Sequence, residues 1–373
     1  MLSMKVICDQ SALAETLGII GSVIASRTPN PVLTCIRLTA EDGRLTLAAT
    51  DGDCGLRMVM EQVQVDEPGE TLVPADKLNQ IVRECPDATV TLENDKQALF
   101  IRSGESMFKI YGFDPAEAPP IGEFDQNAVD CEITAGALVV LINRSLFAAA
   151  DEHSRYAING VLVERTGTLL RMVATDGRRL AVATGSTSSG EGEARCIIPS
   201  KALSIMRRIL RNDAALVRIS MEENKVHVHV DDPAGQATLT SSLVDGKFPP
   251  FEDVIPKDQD KRVTFNRQTL WTAVRQAALL TNEESRSVRL HFQDSQLTLT
   301  SHAPEMGEAE VHLGIEDYSG EELEIGFNPN YISDALKVID QDQVVLELKA
   351  SNKPGVLRTG KEFTYVLMPV NLS

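Results

Sequence analysis

A few side chains have the types and spacing that metal or acid–base chemistry needs. His227 and His229 alternate along a strand-like run, so both point to one face, as a pair of metal-ligating imidazoles would. No third ligand stands near them, and we expect ordinary solvent-facing residues. His153 follows Asp151 and Glu152 and could exchange protons, but no motif pairs it with a nucleophile. We therefore expect no catalytic residue, no metal and no cofactor.

Phosphate-binding chemistry is equally unsupported. The Gly-Lys pairs at 246–247 and 360–361 lack the upstream glycine spacing and the following Ser or Thr of a phosphate-binding loop. ATP hydrolysis is not expected. A hydrolase on an unfamiliar fold and a scaffold protein that binds no DNA remain the alternatives to a DNA-binding role.

Positive charge is concentrated on the predicted helices. The chain carries 36 Lys and Arg against 54 Asp and Glu, a net charge of −18, yet its helical segments sum to a positive charge. In the segment 200–212 the apolar residues Leu203, Met206 and Leu210 predict the buried stripe. The opposite side then carries Arg207, Arg208 and Arg211. Such a face is either simply solvated or a surface for a polyanion.

Length and composition exclude several classes of protein. The 373 residues suffice for two to three domains with their own cores, and 43% of them are apolar. No apolar run is long enough to cross a bilayer, and from the strand-like start of the sequence we expect no secretory signal. The six cysteines never form a C-x-x-C pair, so we expect reduced, buried thiols and a cytoplasmic protein.

The sequence repeats itself. LTLAATDG (45–52) recurs as LLRMVATDG (169–177) and weakly as LTLTSHAP (297–304), which places Thr50, Thr175 and Thr300 at intervals of 125. Each unit has an amphipathic helix after a strand and further strands of alternating pattern. We predict an α+β fold of three copies of one domain, each with two helices packed on antiparallel sheet, at 1–127, 128–258 and 259–373. Their exposed sheet edges favour closed assembly.

Taken together, several segments resemble the bacterial DNA polymerase III β subunit, the sliding-clamp family, over the whole chain. They are RYAINGVLVE (155–164), VATDGRRLA (173–181), LVDGKFPPFEDVIP (243–256), NEESRSVRL (282–290) and YVLMPVNL (365–372). The resemblance implies a head-to-tail homodimer, a ring whose helices face duplex DNA without sequence preference. It implies a processivity factor rather than an enzyme. Its partners would be the replicative polymerase, the clamp-loader ATPase and other replication and repair proteins.

In this family the partners insert a short peptide containing Gln and Leu or Phe into a groove. The matching positions here are Ile158, Thr175, Gly177, Arg178, Arg179, Leu180, Pro249, Val254, Val366, Leu367, Met368, Pro369, Val370, Asn371 and Leu372. Arg178 stands where the family often has His, and Asp253 and Asn371 stand where it often has Arg.

The resemblance also assigns two loop contacts with DNA, Arg27 and Arg155, and the dimer interface. From the charge on the predicted helices we expect further DNA contacts at Arg144, Lys201, Arg207, Arg208, Arg211 and Arg275. The dimer interface comprises Lys77, Phe108, Ile110, Leu279, Leu280 and Glu308. Glu105 and Met107 replace residues that are commonly basic, which predicts weaker ion pairing between the two copies.

Overall fold

The computed structural model describes residues 4–25, 27–150, 158–233, 235–281 and 287–371. In chain order the strands are β1 (Lys5–Asp9), β2 (Cys35–Glu41), β3 (Arg44–Thr50), β4 (Cys54–Met60), β5 (Val63–Glu67), β6 (Gly69–Pro74), β7 (Thr89–Asp95), β8 (Ala98–Ser103), β9 (Ser106–Tyr111), β10 (Cys131–Thr134), β11 (Gly160–Thr166), β12 (Leu169–Thr175), β13 (Arg179–Ser186), β14 (Ser189–Gly190), β15 (Glu193–Pro199), β16 (Leu216–Met221), β17 (Lys225–Asp232), β18 (Gly235–Ser242), β19 (Lys261–Asn266), β20 (Val288–Gln293), β21 (Gln296–Ala303), β22 (Gly307–Gly314), β23 (Leu323–Phe327), β24 (Gln343–Leu348), β25 (Gly355–Thr359) and β26 (Phe363–Leu367). The helices are α1 (Gln10–Ile20), α2 (Ala75–Glu84), α3 (Ala135–Leu146), α4 (Ser200–Ile209), α5 (Arg267–Ala277) and α6 (Pro329–Lys337).

Asx side chains fix where two of the helices begin. The Asp9 carboxylate accepts the Ala12 N–H at 2.9 Å, and the Asn266 side chain accepts the Thr269 N–H at 3.0 Å. Each satisfies a backbone donor that has no partner inside the helix. Helix α5 passes directly into a 3-10 turn at Ala278–Leu280. No helix in the part of the chain that the structure describes is long and apolar enough to cross a membrane.

The first compact unit comprises Met1–Val139, Thr187–Gly192 and Lys201–Leu243. It contains a five-stranded sheet of order β5-β1-β7-β8-β9 and a nine-stranded sheet of order β14-β10-β16-β17-β18-β4-β3-β2-β6. The β4–β18 pairing joins the first repeat to the second in one sheet, with Leu56 opposite Leu239. Helix α1 packs against α2.

The second compact unit comprises Val140–Ser186, Glu193–Ser200 and Val244–Ser373. Its eight-stranded sheet has the order β15-β11-β12-β13-β26-β25-β24-β19, and its four-stranded sheet the order β22-β21-β20-β23. The β13–β26 pairing joins the second repeat to the third. Helix α5 packs against α6. The α+β architecture of helices on antiparallel sheets is as predicted; the boundaries near 127 and 258 stay predictions.

The first two repeats share their strand register. Arg37 lies opposite Ala48 in β2–β3, and Leu162 lies opposite Val173 in β11–β12. The second pair lies 125 residues after the first, which is the interval found in the sequence. The two repeats therefore match residue by residue in the pairing of these strands.

The prediction for the two histidines was wrong. His227 and His229 do share one face of β17, but both are buried. Their Nδ1 atoms lie 2.9 Å from the Thr240 hydroxyl and 3.0 Å from the Thr238 hydroxyl. The Phe124 ring stacks on His229 at 5.2 Å between ring centres. The segment that contains Gly122 and Phe124 thus packs over this sheet face and covers both imidazole rings.

Candidate nucleic-acid and partner interfaces

The turn between β12 and β13 is built by its own side chains. The Thr175 hydroxyl donates to the Arg179 carbonyl at 2.6 Å and accepts the Gly177 N–H at 3.1 Å. The Asp176 carboxylate accepts the backbone N–H groups of Arg178 and Arg179 at 2.9 and 3.0 Å. Gly177 has a φ of +85°, which a side chain would strain. A rigid turn therefore presents Arg178 to solvent.

Arg179 is held inside the structure rather than offered to a ligand. Its guanidinium pairs with Asp334 at 2.9 Å and Asp176 at 3.0 Å, and it donates to the Phe147 carbonyl at 2.7 Å. It also lies 4.4 Å from the centre of the Tyr331 ring. With these partners satisfied, Arg179 shapes the wall of the predicted groove by fixing β13 to α6.

The C-terminal segment runs beside this turn. The Met368 N–H donates to the Arg178 carbonyl at 3.0 Å, and the Val370 N–H donates to the Gly326 carbonyl at 2.9 Å. Val366 and Leu367 are buried, whereas the Met368 side chain is 41% exposed. Pro369 is half-buried and Asn371 exposed. Leu372 lies outside the described residues.

An apolar cluster forms the floor beneath the turn. Ile158, Leu180 and Val366 belong to it. Its other buried members are Leu162, Val173, Val182, Ile197, Phe248 and Phe251. Pro249 is half-buried, and Val254, whose N–H bonds to the Phe251 carbonyl at 3.1 Å, is exposed. Three of the predicted groove residues, Ile158, Leu180 and Val366, thus share one apolar cluster, and Arg178, Met368 and Val254 are exposed. The groove itself stays a prediction. The sequence analysis missed Phe248 and Phe251, although both stand in the motif FPPF.

Helix α4 presents the basic face that the sequence predicts. Leu203, Met206 and Leu210 are buried. Arg207, Arg208 and Arg211 are all exposed, although the helix itself ends at Ile209. Arg208 donates to the Gly18 carbonyl at 2.9 Å, and Arg211 pairs with Glu15 at 2.7 Å. These cations thus also bind α4 to α1.

Lys201 is held by an ion pair and a backbone hydrogen bond. Its ammonium lies 2.5 Å from the Asp51 carboxylate and 2.6 Å from the Val23 carbonyl. Burial disfavours the charged form of Asp51, but Lys201 and the N–H groups of Cys54 and Asp53 outweigh this effect and lower the pKa of that carboxyl. Asp51 was missed, although ATDG in the first repeat marks its position.

The assignment of Arg144 as a DNA contact was wrong. Its side chain is only 5% exposed and lies between Glu362 at 3.6 Å and Asp340 at 3.8 Å, with a bond to Gln341 at 3.1 Å. A guanidinium neutralised by two carboxylates and buried in the protein cannot contact phosphate. Arg27 and Arg275 are exposed, and Arg275 lies 5.4 Å from the Trp271 ring. Arg155 falls outside the described residues.

The predicted dimer residues lie on two edge strands and beside them. Phe108 and Ile110 are on β9, with Lys77 exposed nearby on α2, and β9 ends the five-stranded sheet. Glu308 is on β22, which ends the four-stranded sheet, and pairs with His302 at 3.0 Å. Leu279 is 73% exposed and Leu280 is half-buried.

Two large apolar side chains on or near these edges were missed, Tyr111 and Met306, and Tyr111 is 74% exposed. Met107, which the resemblance places beside the interface, is exposed as well. The run SMFKIY in β9 is the signal that could have found Tyr111, since an edge strand with apolar residues on both faces can pair with another chain.

Catalytic or metal chemistry finds no support in the described ranges. They contain no group of three or more His, Cys, Asp or Glu side chains placed to hold a metal ion. All six cysteines are buried and outside any disulfide, and burial raises the pKa of the Cys8 and Cys54 thiols to about 12. Such thiols are poor nucleophiles at neutral pH.

Repeated helix-on-sheet domains with open edge strands, an exposed basic helix and an apolar groove define the class of the clamp proteins. Models of the N-terminal, central and C-terminal domains of the DNA polymerase III beta subunit match residues 4–122, 132–250 and 252–371. The beta sliding clamp of Pseudomonas putida is 36% identical over 368 residues, covering 98% of this chain and 99% of that protein. That of Escherichia coli K12 is 33% identical over 372 residues, covering 99% and 100%.

Solved structures give the same result. A sliding clamp from Pseudomonas aeruginosa bound to griselimycin superposes with a TM-score of 0.89 at 33% identity, covering 99% of this chain and all of that one. A sliding clamp from Bacillus subtilis has a TM-score of 0.91 at 27% identity with the same coverage. The chain belongs to the DNA polymerase III beta subunit family, the beta sliding clamps. This family consists of processivity factors and not of enzymes.

Proposed function

We propose that two copies of this chain close head to tail into a ring around duplex DNA and tether the replicative polymerase to it. The observation that carries the proposal is the exposed group Arg207 and Arg208 on α4 and Arg211 just after it, in a chain whose net charge is −18. Cations confined to one surface attract phosphates without reading sequence, and the acidic remainder opposes binding elsewhere. Lys201, Arg27, Arg155 and Arg275 would add to this surface.

Processivity then follows from topology. A closed ring stays on the duplex without a tight grip, so its phosphate contacts can remain weak and mobile. A polymerase held by the ring stays at a high effective concentration near the primer end. No bond is made or broken by the clamp itself.

Two edge strands support the closure of the ring. β9 offers Phe108 and Tyr111 with Lys109 between them, and β22 offers Glu308 and Glu310. Both strands end their sheets and keep unpaired backbone groups that could extend a sheet across two copies. Met107, Leu279 and Met306 would supply apolar contact area.

The groove around Leu180 and Met368 supports the recruitment of partners. We infer that it accepts a short peptide of the type Gln-x-x-Leu-Phe, with apolar side chains on the floor and the rim of Arg178 and Met368 closing over them. The clamp-loader ATPase, the polymerase and other replication and repair proteins would share it. We place the protein in the cytoplasm, because none of its six cysteines is in a disulfide.

Sedimentation of the native particle tests the assembly. The account predicts a mass of twice 40.7 kDa for the unmodified chain. Leu279→Asp, alone or combined with Leu280→Asp, and separately Tyr111→Asp on the opposite edge, should each give a folded monomer, because burying an unpaired carboxylate costs several kcal/mol.

Leu169→Asp is the matched control, since Leu169 is also exposed but lies on β12, away from both edges. It should leave the dimer intact. A dimer that survives all three edge variants with unchanged circular dichroism would show that these strands are not the interface.

A further inference from the structure

The strand pairing identifies equivalent residues in the three repeats. In each repeat a row of directly paired residues begins four positions before the first helix and crosses four strands. The three rows are Val6, Leu92, Ile101 and Phe108; Cys131, Ile219, Val228 and Leu239; and Val263, Leu346, Leu357 and Tyr365. Every member is buried except Phe108, which is 37% exposed. Phe108 therefore holds in the first repeat the place that Leu239 and Tyr365 hold in the others.

A second row identifies another set of equivalent strands. In each repeat it begins four positions before the second helix. The three rows are Thr71, Leu38, Leu47 and Met58; Cys196, Val163, Met172 and Ala183; and Ile325, Leu290, Leu299 and Val311. These rows end on β4, β13 and β22, so the three strands are equivalent. The first rows end on β9, β18 and β26, which are equivalent in the same sense.

Both junctions between repeats inside the chain join these two kinds of strand in one antiparallel register. Leu239 lies opposite Leu56 where β18 meets β4. Tyr365 lies opposite Ala181 where β26 meets β13. Leu56 and Ala181 each stand two positions before the residue that ends their second row. β9 and β22 are the remaining members of the two sets, and each ends one of the sheets that the structure describes.

The same register between two copies brings a cation opposite a carboxylate. The residue two positions before the end of the second row on β22 is Ala309. It would lie opposite Phe108 of the other copy, as Leu56 lies opposite Leu239. Because the pairing is antiparallel, the next pair along the strands is Lys109 with Glu308.

The two junctions inside the chain have no charge at this place. The equivalent pairs there are Thr240 with Gly55 in the first junction and Val366 with Leu180 in the second. Opposite charges at the open edges therefore distinguish a junction made with a second copy from the junctions made within the chain. Such complementary charges favour the correct partner more than they add to affinity.

Lys109 is held beside the open edge of its sheet and remains available for a partner. Its Nζ lies 5.3 Å from the centre of the Phe100 ring and 5.1 Å from the centre of the Tyr111 ring. Aromatic rings attract a cation without neutralising its charge. In the part of the chain that the structure describes, Lys109 forms no ion pair with a carboxylate. The two rings thus place an unneutralised ammonium at the edge.

Glu308 is equally accessible at the edge of the four-stranded sheet. Its side chain is 77% exposed, and one carboxylate oxygen lies 3.0 Å from Nδ1 of the exposed His302. Along β22 the exposed Glu308 and Glu310 alternate with half-buried residues. The half-buried residues are Ala309 and Val311, on the strand that packs against α5. The carboxylates therefore lie on the side of the sheet away from this helix.

We propose that Lys109 of one copy pairs with Glu308 of the other, in a sheet that continues from β9 into β22. Lys109 is then a specificity-determining residue of self-association. It lies two positions beyond Met107 on the same side of β9, and it supplies the cation that Glu105 and Met107 do not. The expectation of weak ion pairing between the copies is revised accordingly. This inference rests on the proposed head-to-tail dimer and adds its register and its charged pair.

Charge reversal tests the pair. Lys109→Glu would place two carboxylates directly opposite each other, which destabilises a strand pair. We expect about a tenfold loss for each junction. Because a ring of two copies has two junctions, the dissociation constant of the dimer, measured by sedimentation, should rise about a hundredfold. Lys109→Glu combined with Glu308→Lys should restore association to within about threefold.

Lys225→Glu is the matched control. Lys225 is an exposed lysine on β17, and this strand has neighbours on both sides in the nine-stranded sheet. The substitution makes the same change of charge away from an open edge. It should leave the dissociation constant unchanged.

Cross-linking tests the register. Phe108→Cys with Ala309→Cys should form a disulfide between copies under mild oxidation, because directly opposite residues of antiparallel strands have Cα atoms about 4.5–5.5 Å apart. Phe108→Cys with Val311→Cys is two positions out of this register and should cross-link at least about tenfold more slowly. Faster cross-linking through position 311 would overturn the register.

The same measurements separate this inference from the proposed dimer. An unmodified chain that sediments as a monomer would contradict both. If the unmodified chain dimerises and Lys109→Glu dimerises equally well, the dimer stands and the Lys109 pair is overturned. A combined variant that associates no better than Lys109→Glu alone would also overturn the pair.

Discussion

Arg178 and Arg179 are neighbours in the chain, yet only one of them is free to meet a partner. The Asp176 carboxylate orients the backbone of both, but Arg179 turns inward to Asp334 and the Phe147 carbonyl. Arg178 stays exposed at the rim. Specificity for a peptide is therefore expected from Arg178, and the shape of the groove from Arg179.

Met368 is the sharpest single-residue test of the groove. Met368→Ala should weaken a Gln-x-x-Leu-Phe peptide by about 1–3 kcal/mol, measured by titration calorimetry, because an exposed apolar anchor is lost while the backbone bond to Arg178 remains. Leu169→Ala, another exposed leucine of the second unit, should leave affinity unchanged. Normal affinity in Met368→Ala would remove Met368 from the site.

Leu180 is unsuitable for the same experiment. It is buried in the floor cluster, so Leu180→Ala should cost about 2–5 kcal/mol of stability in addition to any loss of binding. The sequence alone ranks Leu180 and Met368 as equal anchors, because burial depends on neighbours from distant segments.

His229 makes stability depend on pH. Burial lowers its pKa, with Asp231 raising it and Arg218 lowering it further, while Thr238 and the Phe124 ring cover the imidazole. A base whose folded pKa is lowered binds its proton more readily when unfolded. The contribution of His229 to the free energy of unfolding is therefore complete above the unfolded pKa of about 6.5, and it is lost as the pH falls below that value.

His229→Gln should accordingly flatten the loss of thermal stability between neutral pH and about pH 5, recorded by calorimetry. His302→Gln, at an exposed histidine, is the comparison and should keep the unmodified slope. An identical slope in His229→Gln would show that this imidazole does not control the acid response.

Helix α4 and the connecting segments show how far elements can be predicted from the sequence. The 3.6-residue period of Leu203, Met206 and Leu210 was enough to orient the arginines. The segment 185–193 reads as a flexible loop by composition, but Ser189–Gly190 pairs with β10, opposite Cys131 and Glu132. The buried position of Arg144 was equally hidden, since its carboxylates lie about 200 positions away in the chain. Such contacts between distant residues leave no local pattern.

Neutralising the basic face of α4 should weaken DNA binding. The triple variant Arg207→Gln, Arg208→Gln and Arg211→Gln is expected to bind labelled duplex less tightly and to reduce the slope of log affinity against log salt by up to about 0.9 for each phosphate that the helix no longer neutralises. Loss of the Arg211 pair with Glu15 should cost no more than about 1 kcal/mol of stability, because that pair is exposed.

The matched control removes the same charge from strands. Arg44→Gln, Arg102→Gln and Arg289→Gln are exposed arginines paired with Glu61, Glu93 and Glu324. This triple variant should keep the salt slope. Equal slopes for both triples would mean that α4 does not face the phosphates.

In the whole molecule, the basic helix α4 and the open edge strands have complementary roles. An acidic chain with a basic helix can remain on DNA only if it is prevented from diffusing away, because a few weak phosphate contacts do not retain a protein at physiological salt. Paired edge strands β9 and β22 would provide that closure. The repeat and the family resemblance predicted this architecture. The burial of individual side chains could be read only from the structure.

Retention on circular and on linear DNA shows whether the protein encircles the duplex. The dimer is loaded by the clamp-loader ATPase onto nicked circular DNA, passed through gel filtration at high salt, and then exposed to an enzyme that cuts the circle once. We predict that the protein stays with the circle and leaves after the cut, since only a ring slides off free ends. Retention that is equal on circular and linear DNA, or absent from both, would contradict the account.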